Sequence, residues 1–280
     1  MTPEEIEFFY QVLSAIRLNL KDFVLVGGIA SFLYQCHVRA KPSGFPPLYT
    51  YDIDLASAGR ISVRGGKSVH KLLLEIGLKE EYTGNCTPPL VKYFPKDKTP
   101  SMYVEFLTPL RGSENKQGAS DVTQNIQPDL SAQRLRYLDL LLKNPWTMNT
   151  SSVPGLGKYP NLVVKIPHPS MFIMQKVLVS GRRTDKSRRK DFAYIYQVLG
   201  FFREESEALA REYEVLIGNP EWRKWYQRFI QTSTELFGTP QRDGPIEASR
   251  IIAQATPEMV SAAVNRFISA CPNIYSESKK

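Results

Sequence analysis

The sequence predicts an α/β (α+β) domain over residues 1–166 followed by an all-helical domain over residues 167–280. Three observations carry this. Short β-rich runs alternate with amphipathic stretches as far as Leu162-Val163-Val164-Lys165-Ile166. Pro167-His168-Pro169 then punctuates the chain sharply, and beyond it every segment has helical periodicity.

Thr2-Pro3-Glu4-Glu5 is a helix start, with a capping hydroxyl, a proline in the first turn and two acids behind it. Ile6, Phe9, Val12, Leu13 and Ile16 then recur at helical spacing. Phe23-Val24-Leu25-Val26 reads as a short buried strand that runs into Gly27-Gly28 and a helix over Ile29 to Tyr34. Residues 36–49 form a proline- and glycine-rich loop. Its Arg39 and Lys41 are either solvated or placed to reach a bound polyphosphate. Thr50-Tyr51-Asp52-Ile53-Asp54-Leu55 is the next strand, and Gly65-Gly66 introduces a helix through Val69, Leu72, Leu73 and Ile76 that stops at Gly77. Two further strands are expected at Leu90 to Phe94 and Met102 to Leu107. Arg111 to Pro128 reads as polar loop, and Leu130 to Leu142 as a helix with Leu135, Leu138 and Leu142 on one face. The last strand is Leu162 to Ile166. Helices are then expected at about 169–181, 186–202, 204–217, 219–237, 245–254 and 256–270.

Lysine and arginine outnumber acids 36 to 28, a net charge of +8, which favours a polyanionic partner without requiring one. The three cysteines have no framework spacing, which points to a reducing compartment. The acidic start is unlike a signal peptide, and no apolar run approaches the roughly 20 residues of a membrane span. A cytoplasmic protein is expected.

On a strand, Asp52 and Asp54 leave the same face while Ile53 and Leu55 point to the core. Two like charges so close require a cation between them or open solvent, so the pair is either a solvated edge or a divalent metal site. Glu105 stands between Val104 and Phe106, where a buried carboxylate would need a partner. It is a surface residue or a third ligand beside the aspartates. A strand, a glycine turn and a helix N-terminus at Gly27-Gly28 can present N–H groups to phosphate. Between 182 and 190 there are six basic residues and one acid. Lys176 on an apolar helix precedes them, and Lys190-Asp191 opens a helix of aromatic residues. This stretch is a solvated face or a phosphate contact. Together these parts are the inventory of phosphoryl or nucleotidyl transfer.

Val26-Gly27-Gly28 followed by Thr50-Tyr51-Asp52-Ile53-Asp54-Leu55 resembles the signature of the polymerase-β-like nucleotidyltransferase superfamily. Val104-Glu105-Phe106-Leu107-Thr108-Pro109 resembles the strand that supplies its third carboxylate. The later run of Pro167-His168-Pro169, Lys176, Arg182-Arg183 and Lys190-Asp191 is similar to bacterial proteins related to the AbiEii and MenT toxins. The resemblance covers roughly residues 20–200. It implies a small mixed sheet with flanking helices, and Mg²⁺ or Mn²⁺ held by Asp52, Asp54 and Glu105, which are also the catalytic residues. It further implies a nucleotide-binding set of Gly27, Gly28, Thr50, Lys176, Arg183, Lys190 and Asp191, in which Gly27, Gly28, Lys176 and Arg183 contact the phosphates and Lys190-Asp191 has a secondary role, and transfer of an NMP from an NTP to a hydroxyl acceptor. The acceptor stays open among RNA (a tRNA 3′ end in particular), a protein side chain and a small molecule. A cognate antitoxin partner is compatible; a membrane is not. A second reading is a nucleotide-binding or toxin–antitoxin interaction module without turnover. It is supported by Gly28 where many members carry serine and by Glu105 where aspartate is commoner. A third is a basic RNA-binding protein whose carboxylates are structural.

Overall fold

The computed structural model describes residues 1–48, 52–84, 87–97, 102–112 and 122–273, so Thr50 lies outside the described residues. The chain divides into two compact units: Met1–His37 with Tyr49–His168, and Val38–Leu48 with Pro169–Lys280.

The first unit opens with α1 (Pro3–Ala15), fixed by a reciprocal cap: the Thr2 hydroxyl accepts from the Glu5 amide, and the Glu5 carboxylate accepts from the Thr2 amide. Phe9, Val12, Leu13 and Ile16 are wholly buried, as the helical spacing requires. There follow β1 (Val24–Val26), α2 (Gly27–Gln35), β2 (Asp52–Ala56), α3 (Val69–Glu75), β3 (Lys79–Thr83), β4 (Leu90–Phe94), β5 (Tyr103–Pro109), β6 (Thr123–Gln127), β7 (Leu130–Leu135), α4 (Leu138–Leu141), β8 (Trp146–Asn149) and β9 (Val163–Ile166).

Among the described residues, seven strands make a mixed sheet. Its main path is β1-β2-β5-β4-β3, with β7 also on β5 and β6 on β7, while β8 and β9 form a separate pair. The β2–β5 and β5–β7 ladders are parallel and the others antiparallel. Along one edge β5 pairs with β2; along the other it pairs with β4 at Val104 and Glu105, then with β7 from Leu107 onward. Ile53, Leu55, Val104 and Phe106 are fully buried on the reverse face of β2 and β5. The rings of Phe23 and Tyr93 lie 5.5 and 5.9 Å from that of Phe106.

The expected helix over 130–142 is corrected: residues 130–135 are strand β7, and only Leu138–Leu141 is helical. Ladders with β5 and β6 satisfy the β7 backbone, and Tyr137, at φ +59°, takes the left-handed step that divides strand from helix. Thr123–Gln127, read as loop, is strand β6 for the same reason of pairing. Strand β3 was not anticipated because Lys79-Glu80-Glu81 is charged. It is the terminal strand of the main path, where charge is tolerated and discourages pairing with other chains.

In the second unit the helices are α5 (Pro169–Val179), α6 (Asp185–Phe201), α7 (Ser206–Arg211), α8 (Glu214–Ile217), α9 (Pro220–Phe237), α10 (Asp243–Ile251) and α11 (Pro257–Ser269). The single helix expected over 204–217 is broken between α7 and α8, where Tyr213 turns fully inward and its hydroxyl donates to the Ser170 carbonyl at 2.7 Å. Val38–Leu48 packs on α6: the Lys41 amide donates to the Phe201 carbonyl, the Leu48 amide donates to Gln197, and Phe45 stacks on Tyr196. Arg39 and Lys41 meet Glu205 and Glu204 there, so both loop cations form ion pairs within the helical unit. No helix among the described residues is long and apolar enough to cross a membrane.

The Lys176 ammonium is 2.6 Å from the Asp191 carboxylate, with side chains 5% and 4% exposed, and the rings of Phe172 and Tyr194 flank it. Removing one partner of such a pair strands the other charge in a poorly solvated place. Asp191→Ala is therefore expected to cost about 3–5 kcal/mol, and Lys176→Met with Asp191→Leu much less. Urea unfolding of the three proteins measures this.

Candidate active site

β2 projects Asp52 and Asp54 from one face of the sheet, with Ile53 and Leu55 buried behind. Directly paired residues of neighbouring strands share a face, so the registers extend this row. Asp54 stands opposite Val26 of β1 and opposite Glu105 of β5; Glu105 stands opposite Lys92 of β4, and Lys92 opposite Glu81 of β3. Asp52 is paired with Tyr103. Asp52, Asp54 and Glu105 thus share one half-buried face, in the middle of the sheet rather than on a solvated edge.

Three carboxylates in this space repel one another, and like charges at directly opposed positions destabilise a ladder. The structure offsets part of this with Lys92, whose Nζ lies 3.1 Å from Glu105 Oε2 and 3.9 Å from the centre of the Tyr103 ring. The Tyr103 hydroxyl hydrogen-bonds Asp52. Its phenol is pushed well above the ordinary tyrosine range, first by burial and then by the negative charges of Glu105, Asp52 and Asp54. It stays protonated and donates. Among the described residues no group of three or more His, Cys, Asp or Glu side chains is arranged to hold a metal ion. The donors that fit one are Asp52 and Asp54, hard oxygen ligands on adjacent outward positions. Mg²⁺ needs no more than one or two protein carboxylates when water and phosphate complete its shell.

Gly27 begins α2 with φ +68°, and a Cβ there would fall 1.9 Å from Asp54 Oδ2. The missing side chain is the space that the carboxylate occupies. It also sets Asp54 against the first turn of α2, where the helix dipole favours an anion. Gly28 is buried in that same turn.

The remaining predicted residues lie in the helical unit. Lys176 and Asp191 are buried in their mutual pair. Arg183, 41% exposed on its side chain, directs its Nε to Asp191 at 3.2 Å, and Lys190 is exposed on the first half of α6. Lys92 and Tyr103 were missed by reading the sequence. A signal for Lys92 was present: it sits amid Leu90-Val91 and Tyr93-Phe94 much as Glu105 sits in its own strand. Opposite charges in two successive apolar strands suit cross-strand pairing.

Gly27→Ala is expected to lower stability by more than about 1 kcal/mol through its backbone conformation alone, with the clash at Asp54 added. Chemical denaturation measures the loss. Asp52→Asn is expected to lower the pKa of Tyr103, since it removes one of the charges that hold the phenol protonated. The tyrosinate absorbance change on raising pH, taken as a difference against Tyr103→Phe, reads the direction.

The chain matches the family model described as nucleotidyltransferase over residues 9–216. No curated protein and no solved structure matches it. The match takes in the whole carboxylate face and ends within α8, leaving α9 to α11 beyond it. The chain belongs to the nucleotidyltransferase family and is thereby a transferase that moves a nucleoside monophosphate from a nucleotide substrate.

Proposed function

We propose that the protein is a Mg²⁺-dependent nucleotidyltransferase that moves an NMP from an NTP to a hydroxyl of RNA, such as a tRNA 3′ end. The observation that carries this is the placement of Asp52, Asp54 and Glu105 on one face, with Gly27 at the mouth of α2 beside Asp54. Asp52 and Asp54 would hold the ion. When bound, it would neutralise charge on the phosphates and on the oxygen that leaves with pyrophosphate. The chain's own groups do the remaining work. The first turn of α2, Gly27 and Gly28, offers N–H groups and a favourable dipole to phosphate. Tyr103 holds Asp52 in orientation by donating to it, and Glu105 polarises the acceptor hydroxyl. Arg183 and Lys190 are phosphate contacts of the helical unit. Lys176 and Asp191 support that role from within, because Asp191 fixes the Arg183 side chain. The surplus of positive charge suits RNA. A toxin-like role in a bacterial cytoplasm, with a cognate antitoxin, follows the similarity of the Lys176 to Asp191 run.

A nucleotide-binding or toxin–antitoxin interaction module without turnover is the second reading. The ion pair between Glu105 and Lys92 favours it, because a carboxylate engaged by an ammonium is a poorer group for activating a hydroxyl.

Labelled NTP with Mg²⁺, offered to tRNA, other RNA and protein acceptors, tests both. Incorporation into RNA is expected, with loss of at least about a hundredfold in Asp52→Ala/Asp54→Ala. Transfer that survives the double substitution sinks the assignment. An NTP- and Mg²⁺-dependent rise in the thermal midpoint without incorporation into any acceptor supports the second reading.

A further inference from the structure

The carboxylate face carries a cation of its own. Lys92 is central in β4, in register with Glu105 on one side and Glu81 on the other. Its side chain is 23% exposed and that of Glu105 15%, so the pair sits in the wall of the site rather than in bulk solvent. The ammonium touches the Tyr103 ring, whose hydroxyl bonds Asp52, and the carboxylate directly opposite Asp54. It is therefore linked through the Tyr103 side chain to Asp52 and paired with the carboxylate that stands in register with Asp54.

We propose that Lys92 is the resident counter-cation of this face, a positioning residue whose ammonium balances the carboxylates until a divalent ion replaces it, so that metal binding and the Lys92–Glu105 pair oppose each other. This rests on the assignment of Asp52 and Asp54 to a divalent ion. Without any cation, Asp52, Asp54 and Glu105 would repel across adjacent strands. With both cations in place, the ammonium and the ion would repel each other at short range. Each state is better balanced with one of them close to the carboxylates. The Lys92 stem is long and its side chain already partly exposed, which suits withdrawal of the ammonium toward water.

The test is Mn²⁺ binding to the full-length chain, measured by calorimetry and by the electron paramagnetic resonance of free Mn²⁺, for the wild type, Lys92→Met and Lys92→Arg. Removal of the competing charge is expected to tighten Mn²⁺ binding by roughly five- to tenfold, and Lys92→Arg to keep the wild-type affinity. Lys92→Met/Asp52→Asn/Asp54→Asn is expected to bind no Mn²⁺. Binding by Lys92→Met that equals or falls below that of the wild type overturns the proposal while leaving the metal assignment intact. Binding that persists without both aspartates overturns it by placing the ion elsewhere. If neither wild type nor Lys92→Met binds, the metal assignment falls and the inference with it; binding by Lys92→Met alone supports it. A measurement on the wild type guards against a folding defect in the variant. Mg²⁺ is expected to raise the labelling of Lys92 by an amine-reactive reagent, read by mass spectrometry, and unchanged labelling counts against displacement.

Discussion

Asp54 and Glu105 oppose each other across the parallel β2–β5 ladder, and a sheet tolerates such a pair only where other forces hold the two strands together. Here the holding force is on the reverse face. Ile53, Leu55, Val104 and Phe106 alternate with the acids and are fully buried, so sliding either strand by one residue would put these side chains in water and the carboxylates in the core. Burial of each such side chain is worth about 1.5–3 kcal/mol, against roughly 0.2–1 kcal/mol for an unfavourable cross-strand pair. The hydrophobic term wins by a wide margin. It fixes the register, and the register fixes the acids. The repulsion that remains is relieved most directly by positive charge, and Lys92 supplies one such charge beside Glu105.

The same constraint explains the local chain path. β1 and α2 follow each other without a linker, and the left-handed backbone of Gly27 makes this possible while leaving room for Asp54. The long interval from Gly28 to Asp52 also has a physical role: Val38–Leu48 leaves the first unit and contributes backbone hydrogen bonds, an aromatic stack and two ion pairs to the helical one. The two basic side chains of this loop, Arg39 and Lys41, which in sequence could have been addressed to phosphate, are addressed to Glu205 and Glu204.

What could be read in advance was what depends on local pattern. The helix cap at Thr2, the Asp-x-Asp alternation, the glycine step at Gly27 and the helical half are set by neighbours in sequence. Strands β6 and β7 were not legible, because their strand character comes from ladders to β5 and to each other, while Leu135, Leu138 and Leu142 imitate a helical stripe. β3 was hidden by its charges. The candidate site was legible as acids and glycines. Lys92 and Tyr103 were not, since their part depends on β4 and β5 lying side by side in a register that local pattern does not set. Burial of Lys176 with Asp191 was hidden for a related reason: a lysine near a basic run reads as one more phosphate contact until the fold shows what surrounds it.

The Lys92–Glu105 and Lys176–Asp191 pairs differ in a way that decides what each can do. Lys176 and Asp191 are almost completely enclosed, so parting them would leave two charges without water, and the desolvation cost of several kcal/mol per ion keeps them together. Lys92 and Glu105 are closer to solvent than that pair, so separating them carries a smaller desolvation cost. The pair of Lys92 and Glu105 can therefore part without the local unfolding that separating Lys176 from Asp191 would demand. Exchangeability follows from exposure. The enclosed pair serves the architecture of the helical unit, and the half-open one is suited to yield its place.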